Sequence, residues 1–209
     1  MTERPAYLTN ILFIATCLAV GCTGGGSLGC GSGDGASGPT VDTQLLGIYQ
    51  LDQYQQSQAG CQQLMDVDPA PSHLVIYTVP SNDNPDQGVL VGQFCGGVLD
   101  CRRRAKDLPT VINYSFLEGS DATGWTGWGF PSEGSMAGDQ CRLEVQTHTL
   151  TSPSDQAIRI DTRQVDTVYM GTVEGNDATC TRRAAVASVD DESPCTALFL
   201  LEATFETSL

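Results

Sequence analysis

Cys141-Arg142-Leu143-Glu144-Val145-Gln146-Thr147-His148-Thr149-Leu150-Thr151 is the stretch from which the fold is read. Apolar and polar residues alternate along it. Leu143, Val145 and Thr147 therefore share one face, and Arg142, Glu144, Gln146 and His148 the other. That is the period of two expected of a strand with one dry side and one wet side. The same rhythm recurs on both sides of it. In Ala197–Glu206 the inward set is Ala197, Phe199, Leu201, Ala203 and Phe205, with Glu202, Thr204 and Glu206 outward. Val111–Leu117 groups Ile112, Tyr114 and Phe116, and Ile158 and Ile160 alternate with Arg159 and Asp161. Residues 45–54, 73–79, 89–95 and 124–130 complete a set of about eight strands.

The connections between them carry turn chemistry, as in 80–88, 119–123, 131–134 and 152–155, where Pro, Gly, Asn, Asp and Ser cluster. Short connections and no strand–helix–strand alternation give an all-β fold. The expected architecture is an antiparallel meander forming a small barrel, with a sandwich as the other closure. One segment breaks the pattern. Thr181–Ser188 has a capping threonine followed by Ala184, Ala185 and Ala187, which suits a short helix near 181–188. Gly47-Ile48-Tyr49 weakly resembles the Gly-x-Trp opening of the first strand in lipocalin-like barrels, with Tyr in place of Trp. That resemblance implies a ligand-binding barrel.

The first forty residues read differently. Behind Arg4 and the terminal amine runs the apolar segment Ile11–Val20, followed by Gly21-Cys22. A span needs roughly 20 apolar residues, and a secretory signal about 7–15. Leu18-Ala19-Val20-Gly21-Cys22 resembles the lipobox of bacterial lipoprotein precursors, with Ala19 where that family more often has Leu. The resemblance implies a signal peptide over 1–21, diacylglyceryl transfer to the Cys22 thiol and cleavage after Gly21. In Gram-negative members Thr23, rather than Asp, implies sorting to the outer membrane. Residues 22–40 are expected to be a Gly/Ser-rich tether with a reach of roughly 22 Å, and 41–209 a single β-rich domain. Two or three acyl chains at roughly 0.8 kcal/mol per buried CH₂ would hold it at a membrane. Gly24–Gly29 matches the dinucleotide and nucleophile-elbow glycine patterns, but these carry meaning only within a strand–turn–helix unit.

Nine cysteines point to an oxidising compartment. With Cys17 in the signal, Cys22 lipidated and Cys30 in the tether, Cys61, Cys95, Cys101, Cys141, Cys180 and Cys195 remain for three disulfides out of fifteen pairings. The expected pairs are Cys180–Cys195, Cys95–Cys101 and Cys61–Cys141. The spacings do not suit a metal, so no metal or cofactor is expected.

Twenty-five acidic against ten basic residues give a formal charge of −15, which disfavours nucleic acid as a partner. Candidate partner contacts are Trp125 and Trp128, three apart and so on opposite faces of a strand, and the basic run Arg102, Arg103 and Arg104. That run would meet anionic headgroups or nearby acids. His73 and His148 read as strand-end and surface residues rather than catalytic bases. Asn82–Asp86 has oxygen ligands for calcium but lacks the EF-hand's Gly and Glu positions. The favoured function is a membrane-anchored binding or structural lipoprotein for a small apolar ligand or a cell-envelope protein. The alternative is a lipid-anchored periplasmic hydrolase, which would need two carboxylates converging at about 5–9.5 Å.

Overall fold

The architecture comes from a computed structural model that describes residues 41–57, 60–81, 87–107, 111–131, 134–137, 139–174, 177–190 and 192–209, with the backbone alone for 172–179. The expected signal, lipidation cysteine and tether, and the Asn82–Asp86 stretch, lie outside the described residues. Thirteen strands and two helices follow in order: β1 (Gly47–Ser57), β2 (Leu64–Asp66), β3 (His73–Pro80), β4 (Gly88–Cys95), α1 (Val98–Lys106), β5 (Tyr114–Phe116), β6 (Glu118–Ser120), β7 (Gly124–Gly129), β8 (Ser135–Ala137), β9 (Gln140–Ser154), β10 (Ala157–Met170), β11 (Thr172–Glu174), β12 (Asp177–Thr179), α2 (Arg182–Ala187) and β13 (Cys195–Thr207).

The main sheet runs β5-β4-β3-β1-β13-β10-β9-β7-β6, every neighbour antiparallel. Only Leu117 separates β5 from β6, so the two ends of this path meet and the sheet is a nearly closed barrel. Counting β5 and β6 as one stave, the staves are β1, β3, β4, β5/β6, β7, β9, β10 and β13, an up-and-down meander in chain order. At the seam Leu117 N–H donates to the Thr126 carbonyl at 2.8 Å and Ser115 Oγ to the Trp128 carbonyl at 3.0 Å. Gly127 makes this approach feasible, since a Cβ there would fall 1.8 Å from the Ser115 oxygen.

The barrel has two unlike ends. The short connections from β3 to β4, β6 to β7 and β9 to β10 fall at one end, the turn end. The other, the loop end, carries the long connections 58–72, 96–113, 130–139 and 171–194. The turn-end half of the interior is packed with Leu74, Ile76, Leu90, Phe116, Leu150, Ile158, Ile160 and Leu201, none more than 1% exposed. Each such side chain contributes on the order of 1.5–3 kcal/mol of burial. Leu45 joins this cluster with Val41 and Leu46 against it, and Tyr49 Oη donates to the Leu45 carbonyl at 3.0 Å. Asp121 holds the same segment by accepting from Thr43 Oγ1 and Gln44 N, both at 2.6 Å, and from Trp125 Nε1 at 2.8 Å. Residues 41–46 thus pack into the turn end.

Two outer clusters cover parts of the barrel wall. One gathers Ile48, Val75, Tyr77 and Val91 around the Cys95–Cys101 bridge, with Val98 and Ala105 of α1 packed on it. The other joins Ala185 of α2 to Leu143, Val145 and Val165, with Trp128 and Phe130 alongside. α2 starts where the sequence places it, and the Thr181 side chain accepts from Ala184 N.

Three expectations need correction. His148 is not on a wet face: it is 2% exposed inside the barrel. β9 keeps strict alternation, yet its loop-end half buries Leu143 and Val145 outward under α2, while its turn-end half buries His148 and Leu150 inward. Second, the bridges are Cys61–Cys195, Cys95–Cys101 and Cys141–Cys180, with Cα separations of 5.7, 5.2 and 5.6 Å. The expected Cys180–Cys195 and Cys61–Cys141 pairs fail because β9 and β10 lie side by side. Cys141 sits opposite Tyr169 at the end of β10, and the β11–β12 hairpin returns the chain there at Cys180. Cys61 follows β1, which borders β13 and hence Cys195. Third, Arg102–Arg104 lie on a helix, α1, whereas the only helix expected from the sequence is the one near 181–188.

Candidate ligand site at the loop end of the barrel

Toward the loop end the barrel's inward face changes character. Past Leu150 the inward residues of β9 are His148, Gln146 and Glu144, and past Ile160 those of β10 are Thr162 and Gln164. The facing stave β7 presents Gly127 opposite His148 and Gly129 opposite Gln146, so it adds no side chain to crowd them. The imidazole fills that gap. Its Nδ1 lies 3.0 Å from Thr162 Oγ1, and its ring meets Tyr114 edge-to-face with centroids 5.2 Å apart. Nε2 is buried and has no protein partner among the described residues, and it stands 3.0 Å from where a Cβ on Gly129 would lie. Desolvation holds the His148 pKa down at about 4, so the ring is neutral near pH 7.

A row of rings leads from His148 toward the mouth. Tyr114 packs edge-on against Phe94 at 5.7 Å and Phe94 against Tyr54 at 5.4 Å. Burial pushes the ionisation of the Tyr54 and Tyr114 phenols upward. Tyr114 is buried, whereas Phe94 and Tyr54 are only partly so. Beside the rings runs a ladder of amides. Gln146 Nε2 donates to Gln164 Oε1 at 2.8 Å, and Gln164 Nε2 to Glu144 Oε1 at 3.3 Å. Beyond them Arg142 pairs with Asp166, whose second carboxylate oxygen is buried without a partner among the described residues. Aromatic walls beside two amides and the Glu144 carboxylate suit a small molecule with an apolar body and a hydroxyl to bond.

The residues singled out in the sequence are dispersed. Trp125 is 7% exposed in the interior cluster, its indole N–H bonded to Asp121. Trp128 faces the opposite way, partly buried in the α2 cluster. On α1, Arg103 and Arg104 both pair with Asp100, at 2.5 and 2.9 Å, and Arg102 reaches Thr207 Oγ1 and the Ser208 carbonyl at 3.5 Å. His73 Nε2 of β3 lies 3.0 Å from a Glu206 oxygen of β13, across the intervening β1. Among the described residues no group of three or more His, Cys, Asp or Glu side chains could hold a metal ion. The sequence reading missed the Tyr54–Phe94–Tyr114–His148 row. Alternation places Phe94 and Tyr114 on one face of each strand, but not those faces against His148. Compared with family models, curated proteins and solved structures, the chain matches none.

Proposed function

We propose that this protein is an exported lipoprotein, anchored through Cys22, whose barrel binds a small uncharged ligand at its loop end. The observation that carries the binding half is the unequal filling of the barrel. Aliphatic side chains pack the turn-end half, and rings, amides and a neutral imidazole line the other. Long connections and all three disulfides cluster at that same end, where binding residues on a rigid scaffold are commonly found. The anchoring half rests on the Leu18–Cys22 run and the glycine-rich stretch after it, with three bridges in keeping with an oxidising compartment. The chain enters the barrel at the turn end, so an anchor at Cys22 leaves the loop end free to face away from the bilayer. Detergent phase partition tests the anchor: the wild-type protein enters the detergent phase and Cys22→Ala stays in the aqueous phase. Retention of the alanine form would sink the lipidation site. A screen of neutral phenols and sugars by tyrosine fluorescence tests the site, with responses abolished by Phe94→Ala.

A further inference from the structure

On the outer wall of the barrel three side chains form a hydrogen-bonded series. Leu74 and Ile76 of β3 and Leu201 and Ala203 of β13 enter the interior cluster, so by alternation His73 and Glu206 project outward. His73 Nδ1 lies 2.9 Å from Ser72 Oγ, and its Nε2 lies 3.0 Å from a Glu206 oxygen. A carboxylate only accepts, so the Nε2 proton belongs to the bond with Glu206. The neutral ring then presents its lone pair at Nδ1, and the Ser72 hydroxyl donates to it. The other acceptor near that hydroxyl, the Cys95 carbonyl, is farther off at 3.4 Å. The backbone pins the series in place. Leu51 N donates to the Ser72 carbonyl at 3.0 Å, and His73 stands in register between Gln50 of β1 and Cys95 of β4, whose sulfur is bridged to Cys101. The side chain of His73 is 16% exposed and that of Glu206 38%, whereas Ser72 is open to solvent. A shielded base thus holds an accessible hydroxyl, and an acid orients the base.

We propose that Ser72, His73 and Glu206 act as nucleophile, base and orienting acid in the hydrolysis of a carboxylic ester presented from solvent, at a site separate from the barrel interior. A nucleophile within reach of a base that a third group orients is the mark of covalent catalysis, whatever the fold and the chain order. Ser72 Oγ attacks the ester carbonyl carbon as its proton passes to His73 Nδ1. The tetrahedral intermediate expels the alcohol oxygen, which takes that proton from Nδ1 and leaves the acyl group on Ser72. Water then adds to the acyl carbon and gives a proton to Nδ1, and Ser72 Oγ recovers that proton as the carboxylic acid departs. Glu206 works through His73 as a positioning residue: it keeps the proton on Nε2 and stabilises the imidazolium formed in each half. An ester fits better than an amide, because an alkoxide leaves more readily than an amine anion.

The test treats the full chain, purified in an ester-free detergent, with a fluorophosphonate probe and with p-nitrophenyl acetate. The expected result is an adduct mapped to Ser72 by peptide mass spectrometry, absent from urea-unfolded protein, and a stoichiometric burst of p-nitrophenol. Ser72→Ala is expected to lose both. His73→Ala should slow labelling of Ser72 by about a hundredfold or more, and added imidazole should restore part of the rate. Glu206→Gln should slow it by about tenfold or more, with Glu206→Asp keeping more of the rate than the amide. Absence of a Ser72 adduct in the folded wild-type protein would overturn the proposal whatever the variants do. So would labelling that His73→Ala leaves unchanged, or that imidazole fails to restore, since Ser72 would then be an ordinary surface hydroxyl in a structural series of bonds.

Discussion

His148 shows what one buried side chain implies for stability. Unfolded, the ring protonates near 6.5; folded, desolvation holds it to about 4. Above 6.5 it is neutral in both states and has no effect on the pH dependence. Below that the unfolded chain binds the proton first, so stability falls as pH drops from 6.5 to about 4, by up to about 1.4 kcal/mol per pH unit. His148→Gln removes this contribution. Urea midpoints at pH 7 and pH 4.5 are expected to differ less for the variant than for the wild type, whatever its absolute stability. An unchanged difference would mean that the ring is solvated or paired in the fold. Gly127 carries a second residue-scale constraint. Its Cβ position is occupied by the Ser115 carbonyl across the seam, whereas a Cβ on Gly96 would come no closer than 4.0 Å to Asp100. Gly127→Ala should therefore cost about 1–3 kcal/mol or more, as overpacking does, and Gly96→Ala little. Thermal melts of the two variants side by side check the contrast.

At the scale of elements, the three bridges constrain loops of very different size. Cys61–Cys195 spans 134 positions, Cys141–Cys180 spans 39 and Cys95–Cys101 spans 6. In the chain-entropy description these contribute about 5, 4 and 2 kcal/mol respectively. Replacing each pair by Ser is expected to lower stability in that order, read from denaturant midpoints, and non-reducing peptide maps should recover those three pairs. The pairing illustrates what the sequence could and could not tell. Each of the eight staves was legible because alternation and turn residues are local signals, and so was α2, because Thr181 caps it. The inward set of β13 also follows from its pattern, with Ala197, Leu201 and Ala203 buried. α1 was hidden by Gly96-Gly97 before it and by the absence of a side-chain cap, although Val98, Cys101 and Ala105 fall at helical spacing. Which cysteines meet depends on which staves are neighbours. The ring row depends on how the meander closes at the β5–β7 seam. Both are properties of the sheet's closure, which no strand's own pattern encodes.

At the scale of the whole molecule, charge opposes the proposed attachment. An acidic protein at −15 is repelled by an anionic surface, and the basic run of α1 offers little against that. Arg103 and Arg104 share the Asp100 carboxylate, which the hydrogen bond from Gly96 N and those from the two arginines hold at a pKa of about 2. Cationic side chains near an anionic leaflet are worth about 1 kcal/mol each, and the attraction fades within a Debye length of about 8 Å at physiological salt. With one carboxylate against two guanidiniums, α1 keeps a net charge of +3, from Arg102, Arg103, Arg104 and Lys106 less Asp100, which falls short of the repulsion from the acidic excess. Acyl chains need no help from charge. The Cys22→Ala protein is accordingly expected not to sediment with vesicles containing phosphatidylglycerol at low or physiological salt. Reversing Arg102, Arg103 and Arg104 to Glu in the otherwise unaltered protein should leave its detergent partition unchanged. Salt-sensitive sedimentation of the Cys22→Ala protein, lost on reversal of the three arginines, would instead make α1 a membrane contact and turn the wall of the barrel that it covers toward the bilayer.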